Sequence, residues 1–233
     1  MEKVIVTLRT GSADDEWAEA IRGPVAEELL GLQVPGLTVN VRDAAVRDAL
    51  MTLTTLDPPV QGFVSIWTQQ YYGTQVAAAL QLLGRHAERV AAYLVTESAP
   101  MPPPPTPPGE RVPALANVAL LRRPADMDEA TWLTRWHRDH TQVAIDTQST
   151  FGYVQNYVVR TLTPQAPVVN AIVEELFPVE AIGSLHAFFG AADDDDLRHR
   201  MEQMVASTAA FGANVNIDAV PTSRYVFRTP FRD

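Results

Sequence analysis

The sequence predicts an α+β protein in which two successive βαββαβ units close against one another as one pseudo-symmetric barrel. Three observations carry that expectation. A proline-rich stretch divides the chain almost in half, each half runs through the same order of strand and helix patterns, and the first helix of each half carries an early tryptophan.

Seven of the 18 prolines fall between Pro100 and Pro108. Such a run lacks amide donors and has its φ fixed, so it enters neither a helix nor an interior strand. Residues 100–112 therefore read as a stiff connector of roughly 3 Å per residue, able to cross about 25–30 Å. They separate a first unit, 1–99, from a second, 113–233.

In the first unit, residues 4–8 alternate as a strand and 14–30 follow a helical pattern, with Asp14 and Asp15 suited to its N-terminal end. Residues 37–41 and 62–67 read as strands, 74–85 as a helix and 92–96 as the closing strand. The second unit gives a strand at 116–121, a helix at 128–145, and strands at 153–159 and 171–176. A short helix at 180–188 and a longer one at 194–211 precede a last strand at 224–227. Trp17 overlays Trp132 at a shift of 115, which also sets Val39 on Val154. A single unit of this kind covers one sheet face with helices and leaves the other bare. Two units bury both bare faces in one interior, and a connector crossing the molecule suits that pairing.

Composition narrows the function. The 233 residues, 46% hydrophobic and 20% charged, are ordinary for a globular chain. A net charge of −10 argues against nucleic acid, whose partners need a basic surface. No run of about 18 apolar residues suggests a membrane span, and the start lacks a signal-peptide pattern. The absence of cysteine removes disulfides and thiolate chemistry. Together these lead to the expectation of a cytoplasmic protein.

The second half opens with Leu121, Arg122, Arg123 and Pro124, continues through Asp126, Asp128 and Trp132, and sets Trp136 four residues before His140. Gly152 to Tyr157 follow as a strand, then Glu175, Leu176 and Phe177, then Phe188 and Phe189. Over roughly 116–231 this resembles the EthD family: a strand, a basic-proline turn, an acidic helix start and a Trp four residues before a His. The resemblance implies tandem ferredoxin-like βαββαβ units forming a dimeric α/β barrel within one chain. It also implies oxidation, decarboxylation or dehydration of a small apolar molecule without an organic cofactor. Two departures stand out. Thr141 and Gln142 follow His140 where the family has a small residue and proline, and the first half has Ile21 and Val25 in place of Trp136 and His140. The second half is thus expected to own the site.

Trp132, Trp136 and His140 share one helical stripe, broadened by Leu133, Val143 and Ala144, so His140 is expected at the sheet as a neutral imidazole base. Gln155 and Asn156 must face opposite ways. The more apolar set, with Val154 and Val158, is expected to meet the helices, leaving Tyr153, Gln155 and Tyr157 for the interior. Of Glu174 and Glu175, one is expected to be exposed, and a buried one could act as an acid. The expected binding residues are Trp136, Tyr153, Gln155, Asn156, Glu175 and His186, around His140 as base. His186 sits among Leu185, Phe188 and Phe189, so packing explains it equally well. His86 and His199 read as surface residues, and Asp193 to Asp196 as a helix start. His137 and His140 are three apart, but no carboxylate completes a metal site, and none is expected. Rival readings are a haem barrel with His140 or His186 as axial ligand, and a non-catalytic accessory protein. The expected partner is a small molecule, and the chain could act as a monomer with an internal pseudo-dimer or as a homodimer.

Overall fold

A computed structural model describes residues 1–230. Its first half contains β1 (Glu2–Arg9), α1 (Asp15–Ala20), α2 (Ala26–Gly31), β2 (Gly36–Val41), β3 (Val60–Thr68), α3 (Thr74–Leu83) and β4 (Arg89–Met101). The second half repeats the order with β5 (Leu115–Leu121), α4 (Glu129–Thr134), α5 (Thr141–Thr147), β6 (Gly152–Thr161), β7 (Ala171–Phe177), α6 (Leu185–Phe189), α7 (Asp194–Ala210) and β8 (Asp218–Arg228). All eight strands form one closed barrel in the order β1-β3-β2-β8-β5-β7-β6-β4. Within each half the strand that follows the first helix pairs with the next one. The halves join twice, through β2–β8 and through β4–β6, both antiparallel. Closure removes the exposed strand edges that an isolated unit would present.

Alternation along the strands sorts side chains into two layers. Val4, Val6 and Leu8 of β1 join Leu37, Val39 and Val41 of β2 under the first-half helices. Ile5, Phe63, Tyr93, Val118, Leu120, Ile172 and Val220 fill the barrel interior. Ala119, Leu121, Tyr153 and Val173 meet Trp132, Trp136 and Phe211 under the second-half helices.

The interior also holds an ionic layer. Lys3 Nζ donates to Glu97 Oε2 at 2.5 Å, Glu174 Oε1 at 2.8 Å and Asn156 Oδ1 at 2.9 Å. Arg224 reaches the other oxygen of Glu174 at 3.2 Å. Burial alone would raise the Glu174 carboxyl, but Lys3 and Arg224 overcome it and hold the group at about 2.

The first helix of each half is interrupted at the same place by a π-helical turn, Ile21–Val25 in one and Arg135–His140 in the other. In the first half Pro24 cannot donate, and Gly23 leaves helical dihedrals just before it. In the second half no proline is present. There the Trp136 carbonyl accepts both the Thr141 N–H and, at 3.1 Å, the Thr141 hydroxyl.

Several expected boundaries shift for identifiable reasons. β4 runs on to Met101, into the proline stretch, because a register shift between Ser98 and Met101 absorbs Pro100. β8 begins six residues earlier than expected, at Asp218, despite Pro221, which lies beyond the point where pairing with β2 stops, at Ser223. The short helix expected over 180–188 is two pieces, a 3₁₀ turn at Val179–Ile182 and α6, whose N-cap Ser184 accepts from Ala187 N. The overlay of Val39 on Val154 is out by one residue. Val39 faces helices, whereas the second-half residue in its place is Gln155.

Candidate functional site

Three neighbouring strands of the second half place Asn117, Glu175 and Tyr153 side by side. Asn117 pairs with Glu175 across β5 and β7, and Glu175 with Tyr153 across β7 and β6. The same row in the first half is Val4, Ile66 and Leu37. Both rows lie under helices, but one is wholly aliphatic and the other carries an amide, a carboxyl and a phenol. Such a difference at matched positions is not required by the fold.

Glu175 is 8% exposed, and among the described residues no cation is ion-paired with it. Burial pushes its carboxyl up to about 7, while a hydrogen bond from Asn117 pulls the other way. Gln148, with its amide nitrogen assigned to face acceptors, donates to Glu175 Oε1 at 3.2 Å and Ala144 O at 3.3 Å. The adjacent Glu174 points into the barrel and is fully paired. One residue of strand separates a permanently ionised structural carboxylate from one poised near neutrality.

Around Glu175 the remaining groups are held by named contacts. Burial, and then the Glu175 charge, raise the Tyr153 phenol, so it stays protonated. Gln155 donates to Thr141 Oγ1 at 2.8 Å and accepts from Ser98 Oγ at 3.3 Å. Trp132 and Trp136 lie 5.2 Å apart, ring centre to ring centre. Their Nε1 groups and Asn117 Oδ1 are buried without hydrogen-bond partners. Trp136 Nε1 lies near enough to Tyr153 to favour its ionised form, yet is not aligned for a hydrogen bond. Unpaired buried polar atoms of this kind cost about 1–3 kcal/mol each, so two donors and an acceptor in one layer, beside a carboxyl with no cation, are a candidate for something other than stability.

Four of the residues expected from the sequence therefore converge: Trp136, Tyr153, Gln155 and Glu175. Their face differs from the expectation. Tyr153, Gln155 and Tyr157 meet the helices, with Tyr157 bonded to Glu129 of α4, while Val154, Asn156 and Val158 turn into the barrel. Polarity misled here because the interior carries the Lys3 ionic layer and the helix-covered side carries the Asn117–Glu175–Tyr153 row. Asn156 is accordingly a structural partner of Lys3 and Glu174, and both Glu174 and Glu175 are buried. His186 is displaced further, lying 41% exposed on α6 with its ring 3.0 Å from Asp194. Asn117 was missed, although it is the single polar residue of β5 and that strand is buried throughout. Gln148 follows a helix end and has no such signal.

His140 lies on the expected helix but not at the sheet. The π-helical turn adds a residue to the winding, so Thr141 takes the sheet-facing place against Gln155 and His140 turns to α7. Its Nδ1 is 2.9 Å from Ser207 Oγ, and its ring centre is 4.8 Å from that of Phe211. Burial holds it at about 4, so it is neutral near pH 7. Because the unfolded value is near 6.5, stability present above pH 6.5 is expected to drain away as the pH falls toward about 4. A His140→Gln variant should flatten that part of the pH profile in urea melts, and an unchanged profile would mean the ring is solvated.

Neither histidine fits a haem. A haem ligand needs an open apolar slot, whereas the His140 ring is packed on Phe211 and His186 is paired at the surface. Among the described residues no three His, Asp or Glu side chains gather as metal ligands, and no helix is long and apolar enough to cross a membrane.

No family model and no curated protein matches the sequence. Solved structures do match the fold. The chain resembles an anthrone oxidase-like protein over 99% of its own length and 95% of that protein's, at 8% identity and a TM-score of 0.57. It also resembles a candidate monooxygenase of Lactobacillus acidophilus NCFM over 98% and 96% of the two chains, at 9% identity and a TM-score of 0.50. The α+β barrel of two units, closed within one chain, is thus a fold it shares with these proteins over nearly its full length.

Proposed function

We propose that the chain binds a small, largely apolar aromatic molecule between the second-half sheet and its helices, and that Glu175 transfers a proton to or from it. The observation that carries this is the buried row Asn117–Glu175–Tyr153, with no cation on the carboxyl, where the first half has Val4–Ile66–Leu37. A carboxyl near 7 is suited to general acid–base work at neutral pH. Trp132 and Trp136 supply flat apolar surfaces, and their N–H groups with the Tyr153 hydroxyl are donors for an oxygen that gains negative charge. The role expected of His140 falls to Glu175 in this reading.

The EthD resemblance and the names of the structural neighbours favour an oxidoreductase working without an organic cofactor. Glu175 would take a proton from a carbon conjugated to a ketone through aromatic rings, which in anthrone is the ring methylene opposite the carbonyl, and dissolved dioxygen would oxidise the resulting enolate. For anthrone the balance is one anthrone and one dioxygen to one anthraquinone and one water. One chain supplies both halves of the barrel, so the reading needs no second copy. It also keeps the cytoplasmic setting expected from the sequence.

Anthrone is the probe that tests this. It should quench tryptophan fluorescence on binding and drive dioxygen uptake. Glu175→Gln is expected to keep the quenching and lose turnover by at least about 100-fold, the scale of a general base. Full turnover in the variant would remove Glu175 from the chemistry, and neither quenching nor uptake in the wild type would sink the substrate class.

A further inference from the structure

We propose that α7 is a movable cover over this site, latched by the His140–Ser207 hydrogen bond and hinged at Gly190 and Gly212. The inference rests on the site reading above, because a cover needs something to enclose.

The two halves again provide the comparison. α3 and α7 each follow the third strand of their unit and lie over the same kind of sheet face. α3 buries Val76, Ala79, Leu82 and Leu83 within ten residues. α7 has seventeen residues and buries none of them fully. Its outward side even carries Met201 and Val205, 37% and 58% exposed. Burying aliphatic side chains is what anchors a helix to a sheet, so α7 is held more weakly than its counterpart.

Apart from the half-buried Leu197 and Met204, which pack on the core, α7 is held by a set of bonds that can be exchanged for water. Arg200 donates to the carbonyls of Asp146 and Phe189, at 3.1 and 3.2 Å, near the helix midpoint. Arg135 donates to Ala210 O at 2.6 Å at the C-terminal end. Ser207 meets His140 in the last turn at 2.9 Å. Just past the helix, Phe211 is 1% exposed and packs on both His140 and Trp132, as a plug over the tryptophan layer.

A groove of about 470 Å³ runs between α5 and α7, lined by Val143 and Thr147 on one side and by Gln203, Ala206, Ser207 and Ala210 on the other. Thr147 is the residue before Gln148, which donates to Glu175. The groove wall thus includes the sequence neighbour of the carboxyl's own partner. Gly190 and Gly212 bracket the helix, both in the left-handed region at φ 62° and 78°. Residues with that freedom at element ends are where hinges absorb dihedral change.

Hydrogen–deuterium exchange on the ligand-free full chain tests the cover directly. Amides across 194–210 should exchange at least about tenfold faster than those across 74–83. Ser207→Ala should accelerate 194–210 together by about fivefold, the worth of one hydrogen bond near 1 kcal/mol, and leave 74–83 unchanged. Equal protection of the two helices would overturn the inference, as would acceleration confined to the last turn, which is fraying and not lifting. No ligand is added, so this result stands or falls apart from the anthrone assay.

Discussion

Replacing Glu175 by glutamine is expected to stabilise the protein at neutral and alkaline pH by up to about 3 kcal/mol, while removing the activity proposed for it. The carboxyl is raised from 4.5 to about 7 in the folded chain. The folded state therefore binds more protons than the unfolded one between those values, and stability falls as the pH climbs from about 4.5 to 7. Over that interval the linkage amounts to about 3 kcal/mol. Glutamine cannot ionise, so the variant should lack this decline and gain most above pH 7. Part of the gain is offset because the Asn117 and Gln148 amides lose an acceptor. His140 acts in an overlapping window with the opposite sign, so the informative quantity is the difference between wild type and variant in urea melts from pH 5 to 8. A constant difference across that range would show that Glu175 is solvated and ordinary. A stabilised but inactive variant is the trade expected when a strained group is kept for function.

The opposite expectation applies one residue earlier. Lys3→Met should destabilise by about 3–5 kcal/mol, because it strands buried carboxylate charge on Glu174 and leaves Glu97 and Asn156 without a shared donor. Glu174 keeps Arg224, so the chain should remain folded in water, with a lower urea midpoint and an unchanged slope. The pH dependence also reverses. Glu174 is lowered to about 2, so its contribution is present above about 4.5 and is lost as the pH falls toward 2. Lys3→Met combined with Glu174→Gln should cost clearly less than the two changes summed, since each removes the reason for the other's penalty. A loss under about 1 kcal/mol for Lys3→Met would mean that water reaches the layer and screens it.

The contrast between Glu174 and Glu175 shows where sequence reading stops. Alternation places the two on opposite faces, and does so with certainty, because the side-chain period of a strand is two. It does not say which face belongs to the helices. The polar set of β6, Tyr153 and Gln155, read as interior because apolar residues usually meet helices. The barrel inverts this, with Val154 and Val158 inside and the tyrosine and glutamine beneath the tryptophans. His140 fails for a different reason. A stripe at every fourth residue assumes an unbroken α-helix, and the π-helical turn at Arg135–His140 hands its place to Thr141.

Local pattern was sufficient for the element order, for its repetition across the proline stretch and for the pairing of two half-covered sheets. Those features depend on periodicity, on missing amide donors and on burying apolar faces, and all three are written in neighbouring residues. It was also sufficient to bring Trp136, Tyr153, Gln155 and Glu175 forward as candidates. Only the closed barrel decided which groups surround each of them. Lys3 lies 171 positions from Glu174 and 94 from Glu97, and Asn117 meets Glu175 only because β5 and β7 are neighbours. The environment that makes one carboxylate permanent and leaves the next near neutrality is assembled from distant strands, and no local window of sequence contains it.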